Sequence, residues 1–214
     1  PAARPTATPR ARALRLISIS AARQAAEGTQ VTVVGNVTMP PGILNQRIYI
    51  QDETAGIGIY LRRGDFPQLA SGDLVQATGK RIDFHGEAQI ELSGVNYFVV
   101  LGHGALPTPR WTRTGAIGEA SEGQLVWVAG RVVSFAQDSI TLDDGSGPVT
   151  IYFPAGLSWR RPYVRVGEMW AAQGVASQYS ARRPYRGGYQ VIVREAADIS
   201  RAPRFLPVTG ANAP

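Results

Sequence analysis

The sequence predicts an all-β protein: two small closed barrels of five strands each, with little helix. Three observations carry this expectation. Apolar residues alternate strictly in Ile48-Tyr49-Ile50-Gln51-Asp52 and Ile57-Gly58-Ile59-Tyr60-Leu61, joined by Asp52-Glu53-Thr54-Ala55-Gly56. Alternation at period two marks a strand with one buried face, and the short polar connection makes the pair a hairpin. Five such segments fit between Gly28 and Leu92. That leaves no room for an ordinary helix, so the sheet must close on itself. Finally, the second half repeats the first. Gly28 and Gly35 frame Val31-Thr32-Val33-Val34 as Gly123 and Gly130 frame Val126-Trp127-Val128-Ala129. Ile48–Asp52 matches Ile140–Asp144, Ile59-Tyr60-Leu61 matches Ile151-Tyr152-Phe153, and Gly72-Asp73-Leu74-Val75 matches Gly167-Glu168-Met169-Trp170. One long repeat with matched strands and unequal loops implies two copies of a domain.

The expected organisation is a linker and lead-in over 1–27, a first barrel over 28–101, a connector over 102–121, a second barrel over 122–201 and a tail over 202–214. Pro1–Pro9 is a Pro/Thr/Ala tether, and the chain opens on Pro1 rather than Met, as a piece of a larger protein would. Arg10–Glu27 reads as a short strand or lead-in followed by a helical turn in Ala21–Ala26. In the first barrel the strands are Val31–Gly35, Ile48–Asp52, Ile57–Leu61, Gly72–Gly79 and Ala88–Leu92. Ile48, Ile50, Ile57, Ile59 and Leu61 point inward, leaving Tyr49, Gln51 and Tyr60 on the outer face with Arg47, Arg62 and Arg63 at its margins. Met39-Pro40-Pro41-Gly42-Ile43-Leu44-Asn45 is expected to leave the ladder, with its apolar tip plugging a barrel end. The second barrel has a shorter first loop, Ser134–Asp138, but two longer ones containing Arg-Arg-Pro-Tyr: Trp159–Tyr163 and Tyr179–Gly187.

Composition removes several function classes. There is no cysteine among the 214 residues, which excludes disulfides and thiolate metal sites. No run of 18 apolar residues exists to span a membrane. The two histidines, His85 and His103, lack a recognisable nucleophile or metal-ligand spacing, and no Gly-rich phosphate loop follows a strand. Asp52-Glu53 and Asp143-Asp144 fit turn chemistry better than a calcium site. The expectation is a non-enzyme with no cofactor and no metal.

The strands Val31–Gly35, Ile48–Asp52, Ile59-Tyr60, Gly72–Val75 and Gly79-Lys80 together resemble bacterial OB-fold domains of the tRNA-anticodon-like type. Such modules also accompany secreted nucleases and lamin-tail domains. The resemblance covers 28–101 well and 123–200 more weakly, and it specifies fold better than function. It implies ligands lying across strands two and three, flanked by the loops between strands one and two and between four and five. That face would hold Tyr49 and Tyr60 in the first barrel, and Thr141 and Tyr152 in the second. The loops would add Phe84 and His85 in the first, and Arg182, Arg183, Tyr185 and Arg186 in the second.

Single-stranded nucleic acid is held by bases stacking on aromatic rings and by cations tracking phosphate. The net charge of +6 suits this, but its distribution matters more. Residues 28–101 carry five basic side chains against seven acids, so the first barrel is slightly acidic. Residues 122–201 carry nine arginines against seven acids, and five of those arginines lie in the Arg-Arg-Pro-Tyr loops. The candidate set for single-stranded DNA or RNA is therefore Tyr49, Tyr60, Arg62, Lys80 and Phe84, with Tyr152, Arg160, Arg161, Tyr179, Arg182, Arg183, Tyr185 and Arg186. Against it stand two plainer readings: cross-strand packing for the tyrosines and solvation for the arginines.

Leu206-Pro207-Val208-Thr209-Gly210 resembles a sortase sorting signal of the LPxTG type, in which cleavage would fall between Thr209 and Gly210. With the Thr/Pro-rich start it points to an extracellular or cell-surface protein, the alternative being cytoplasmic. Two functions follow: a non-catalytic module binding single-stranded or irregular nucleic acid, or a structural or adhesive surface spacer binding protein or glycan.

Overall fold

The computed structural model describes residues 15–202, so the Leu206–Gly210 string and the Pro1–Pro9 tether lie outside the described residues. A six-residue helix, α1 (Ile19–Gln24), opens the described chain. Ser18 caps it by accepting from Ala21 N, and Asp52 Oδ2 accepts from Ile19 N at 2.8 Å. So short a helix is held by burial, and Ile19 and Ala22 enter the core of the first barrel.

The first barrel comprises β1 (Gln30–Leu44), β2 (Arg47–Gln51), β3 (Gly56–Leu61), β4 (Asp73–Phe84) and β5 (Glu87–Leu92). They close as a ring in the order β1–β2–β3–β5–β4–β1, with β3 and β5 parallel and every other pair antiparallel. A further strand, β6 (Phe98–His103), lies on β4. After the two-residue β7 (Arg110–Trp111) come β8 (Leu125–Phe135), β9 (Ser139–Asp143), β10 (Pro148–Tyr152), β11 (Met169–Gln178), β12 (Tyr189–Ile192) and β13 (Ile199–Arg201). The second ring closes as β8–β9–β10–β12–β11–β8, again with one parallel pair, β10 and β12. The chain is all-β, with two OB-like barrels. Its only α-helix among the described residues is α1, and none is long and apolar enough to cross a membrane.

Each ring buries one face of its alternating strands. Ile48, Ile50, Ile57, Ile59 and Leu61 fill the first with Val33, Val75 and Ile90. Val126, Val128, Ile140, Leu142, Ile151 and Val191 fill the second. The segment expected to leave the ladder does not. β1 continues through Pro40-Pro41-Gly42 to Leu44, and its pairing with β2 shifts register between Val37 and Met39 and again between Met39 and Leu44. The irregular register accommodates prolines that have no N–H to donate. Nor does the apolar tip plug a barrel end. Met39 packs with Tyr49, Leu125, Val175 and Ile192 between the barrels, and Ile43 and Leu44 flank that cluster.

The part of the first barrel's outer face around Met39 and Tyr49 is therefore covered by the second. Tyr49 was expected on an open ligand face; instead it is fully buried, its hydroxyl donating to Glu87 Oε1 at 2.7 Å and lying 3.2 Å from Ser177 Oγ across the seam. Alternation says which side of a sheet a residue takes, not what lies beyond it. Polar ties line the seam. Gln51 Oε1 accepts from Leu125 N at 2.8 Å, Glu122 Oε1 accepts from Ala88 N at 3.1 Å, and Arg194, paired with Asp198, donates to Thr38 O at 3.0 Å. Gly56 and Gly123 pass backbone to backbone, with no room for a Cβ on either.

Candidate nucleic-acid interface

The packing of the barrels brings the two β4–β5-type loops together. In the first barrel that loop is a two-residue hairpin. Phe84 pairs with Glu87, and His85 and Gly86 between them both have positive φ, 55° and 101°. A mirror-image turn of this kind needs such angles at both central positions, which Gly86 supplies without strain. In the second barrel the loop spans 179–188, between the paired Gln178 and Tyr189. It is braced from within: Gln178 Nε2 donates to Gly187 O at 2.9 Å, and Tyr179 N donates to Gly188 O at 2.9 Å.

A reciprocal pair of bonds locks the loops to each other. Ser180 N donates to His85 O at 2.9 Å, and His85 Nδ1 lies 3.0 Å from Ser180 O. A carbonyl only accepts, so Nδ1 carries a proton. The His85 ring stacks on Tyr179 with centroids 4.5 Å apart, and Phe84 and Tyr185 lie 4.7 and 5.4 Å from it. Cations cap both ends of this aromatic group. The Arg47 guanidinium lies 4.9 Å over Phe84, and that of Arg183 lies 5.2 Å over Tyr185. Arg182, Arg183 and Arg186 are exposed, as is Tyr179, and no ion pair among the described residues uses these arginines. Of the acids at this hairpin, Glu87 is buried and engaged by Tyr49, Gln89 and Arg47, whereas Asp83 is exposed and accepts from Gly86 N at 3.0 Å. Tyr185 raises the pKa of the Arg183 guanidinium, and Glu27 and Asp83 add to that rise. The group thus offers rings for stacking and guanidinium groups for anions.

Phe84, Tyr179, Arg182, Arg183, Tyr185 and Arg186 are therefore brought together, joined by His85. The other Arg-Arg-Pro-Tyr loop is elsewhere. Its Arg161 lies 5.3 Å over Phe135 at the end of β8, whereas the 179–188 loop leaves β11 where Val175 pairs with Leu125 at the start of β8. The ten residues of β11, roughly 30 Å of extended chain, run between the two loops. Arg160 is exposed and Arg161 half-buried there. Tyr152 lies half-buried against the inter-barrel cluster, and Arg62 pairs with Glu91 at 3.6 Å. Lys80 is exposed opposite Glu91 in the ladder, and Tyr60 is half-buried opposite Arg47. Arg47, which lies over Phe84, is not among the sequence candidates; nothing local in its sequence says that a hairpin turn folds back beneath its guanidinium.

The remaining polar candidates have structural employment. Asp52 Oδ1 accepts from Thr54 N and Ala55 N, and Asp143 Oδ1 accepts from Gly145 N. His103 Nδ1 lies 2.8 Å from Asp73 Oδ1 in an exposed pair.

The fold and loop cluster describe a two-barrel, OB-like chain with a basic and aromatic surface at the junction. No family model matches the chain, and no curated protein matches it. Among solved structures, it is similar to the hypothetical protein ygiW from E. coli at 15% identity and a TM-score of 0.34, over 43% of this chain and 94% of that one. It is similar to the telomere capping protein Ten1 from Saccharomyces pombe at 19% identity and a TM-score of 0.32, over 44% and 82%. A murine DNA-binding protein bound to double-stranded DNA covers more, 82% of this chain and 98% of its own, at 9% identity and a TM-score of 0.40.

Proposed function

We propose that the chain is a non-catalytic module that binds single-stranded or irregular nucleic acid across its joined loops. The observation that carries this reading is the stack of His85 on Tyr179, contributed by different barrels and bordered by Arg182, Arg183 and Arg186, which form no ion pair among the described residues. Rings hold bases of any sequence, and arginines track the phosphates between them. The test is fluorescence-anisotropy titration of labelled single-stranded DNA and RNA over a range of salt. Wild type should bind with an affinity that falls linearly on a log–log plot. The Arg182→Ala/Arg183→Ala/Arg186→Ala variant should bind more weakly, with a slope shallower by about 2, since each lost phosphate contact removes about 0.7. No binding at low salt, or an unchanged slope in the variant, contradicts the reading.

A structural spacer is the second reading. It is favoured by the burial of Met39 and Tyr49 against the second barrel, which makes the two barrels a stiff unit suited to holding other domains apart. Attachment of such a unit to a cell surface rests on Leu206–Gly210 and the Thr/Pro-rich start. Cell-wall fractionation of the intact protein and its Thr209→Ala variant tests it: equal release of both from the surface would exclude sorting.

A further inference from the structure

Beside the loop cluster the barrels border a half-open cavity of about 560 Å³, within the usual range of small-molecule sites. Its walls come from both barrels: Ile43, Leu44 and Phe66 from the first, Tyr152 from the second. Asn45 and Gln46 at the β1–β2 turn supply side-chain amides, each with a donor and an acceptor. Arg47 also lines the cavity, and its guanidinium is the one that lies over Phe84. Its contact with Glu87 is long, 3.4 Å from Nη1, so the guanidinium is only loosely held, while its Nε is buried. Rings therefore run from Tyr185 through His85 and Phe84 to Arg47, and Arg47 opens onto the cavity.

We propose that this cavity receives one unstacked base of the bound strand. The proposal rests on the nucleic-acid reading and deepens it by naming where base contact is made. A base has an apolar face for Leu44 and Tyr152 and polar edges for Asn45, Gln46 and Arg47. A lipid chain would leave those amides unpartnered, and a lone phosphate would meet Asp65, which also lines the cavity. The site is not the open strand-two and strand-three face of a single barrel, because Tyr152, Pro154 and Gly156 of the second barrel form one of its walls.

The test uses the whole chain and two probes, uncharged nucleosides followed by NMR and a labelled twelve-nucleotide dT strand followed by anisotropy. Thymidine or adenosine should shift the Asn45 and Gln46 side-chain amides in a saturable way. Ala155→Trp, an exposed lining position, should fill the cavity, abolish those shifts and weaken strand binding about tenfold with the salt slope unchanged. The triple arginine variant should do the reverse, keeping the nucleoside shifts and losing slope. Should Ala155→Trp not fold, Asn45→Ala/Gln46→Ala tests the same lining by anisotropy, and strand binding should weaken with the salt slope unchanged. Strand binding with its salt slope but no nucleoside shift at the cavity overturns the pocket and leaves the nucleic-acid reading standing. No strand binding at low salt overturns both.

Discussion

Glu122 shows how the seam between the barrels sets the chemistry of a single side chain. It is 1% exposed, accepts from Ala88 N, and pairs with Arg23 at 2.8 Å. Burial outweighs that attraction and pushes its carboxyl up from 4.5 to about 7, with Glu87 and Glu119 adding to the rise. A carboxyl with a raised folded-state pKa holds its proton more tightly in the fold than in the unfolded chain. Its contribution to stability is therefore full below about pH 4.5 and lost as the pH rises through 7. A shift of this size corresponds to about 3 kcal/mol. Urea unfolding should show wild type more stable at pH 5 than at pH 8, and Glu122→Gln should flatten that difference. An equal pH slope in the variant would remove Glu122 as its source. Asp73, Asp144 and Glu168 have lowered values, so their contributions are lost only at more acid pH and leave this window clear.

At the scale of elements, what was legible was whatever a strand records locally. Strict alternation in 48–61 identified two strands and which of their residues fill the barrel, because a half-buried sheet imposes period two on its own residues. Pro40-Pro41 misled for the same reason: a proline reports its missing N–H, not a ladder whose register slips to spare it. β6 and β13, which back the rings, went unread; Val99, Val100 and Leu101 are exposed and follow no alternation. The contact of β3 with the segment before β8 was equally hidden, although Gly56 and Gly123 pass there with no room for a Cβ. Gly56→Ala tests that contact without a backbone complication, since no positive φ is required at Gly56. The added methyl group would strike the Gly123 carbonyl, and a loss of at least 1–3 kcal/mol is expected in chemical denaturation, roughly the cost of overpacking. Unchanged stability would mean that the barrels do not meet there.

At the scale of the molecule, the candidate site exists only because the barrels pack as they do. Phe84 and His85 stand about 95 residues before Tyr179 and Ser180, and His85 and Ser180 are 95 apart in sequence. No local pattern predicts that they touch. Charge counting pointed to the second barrel and to both Arg-Arg-Pro-Tyr loops, yet only the 179–188 loop joins aromatic partners from the first. The same docking removes Tyr49 from any ligand and sets the half-buried Tyr152 in the wall of a cavity. The most direct test is photocrosslinking of the whole chain to a 4-thiothymidine strand, with the crosslinked residues mapped by mass spectrometry. Crosslinks should fall on Phe84, His85, Tyr179 and Tyr185, with none on Tyr49. Crosslinks concentrated instead on Thr141 and the 159–163 loop would place the strand at the other end of the second barrel and contradict the account.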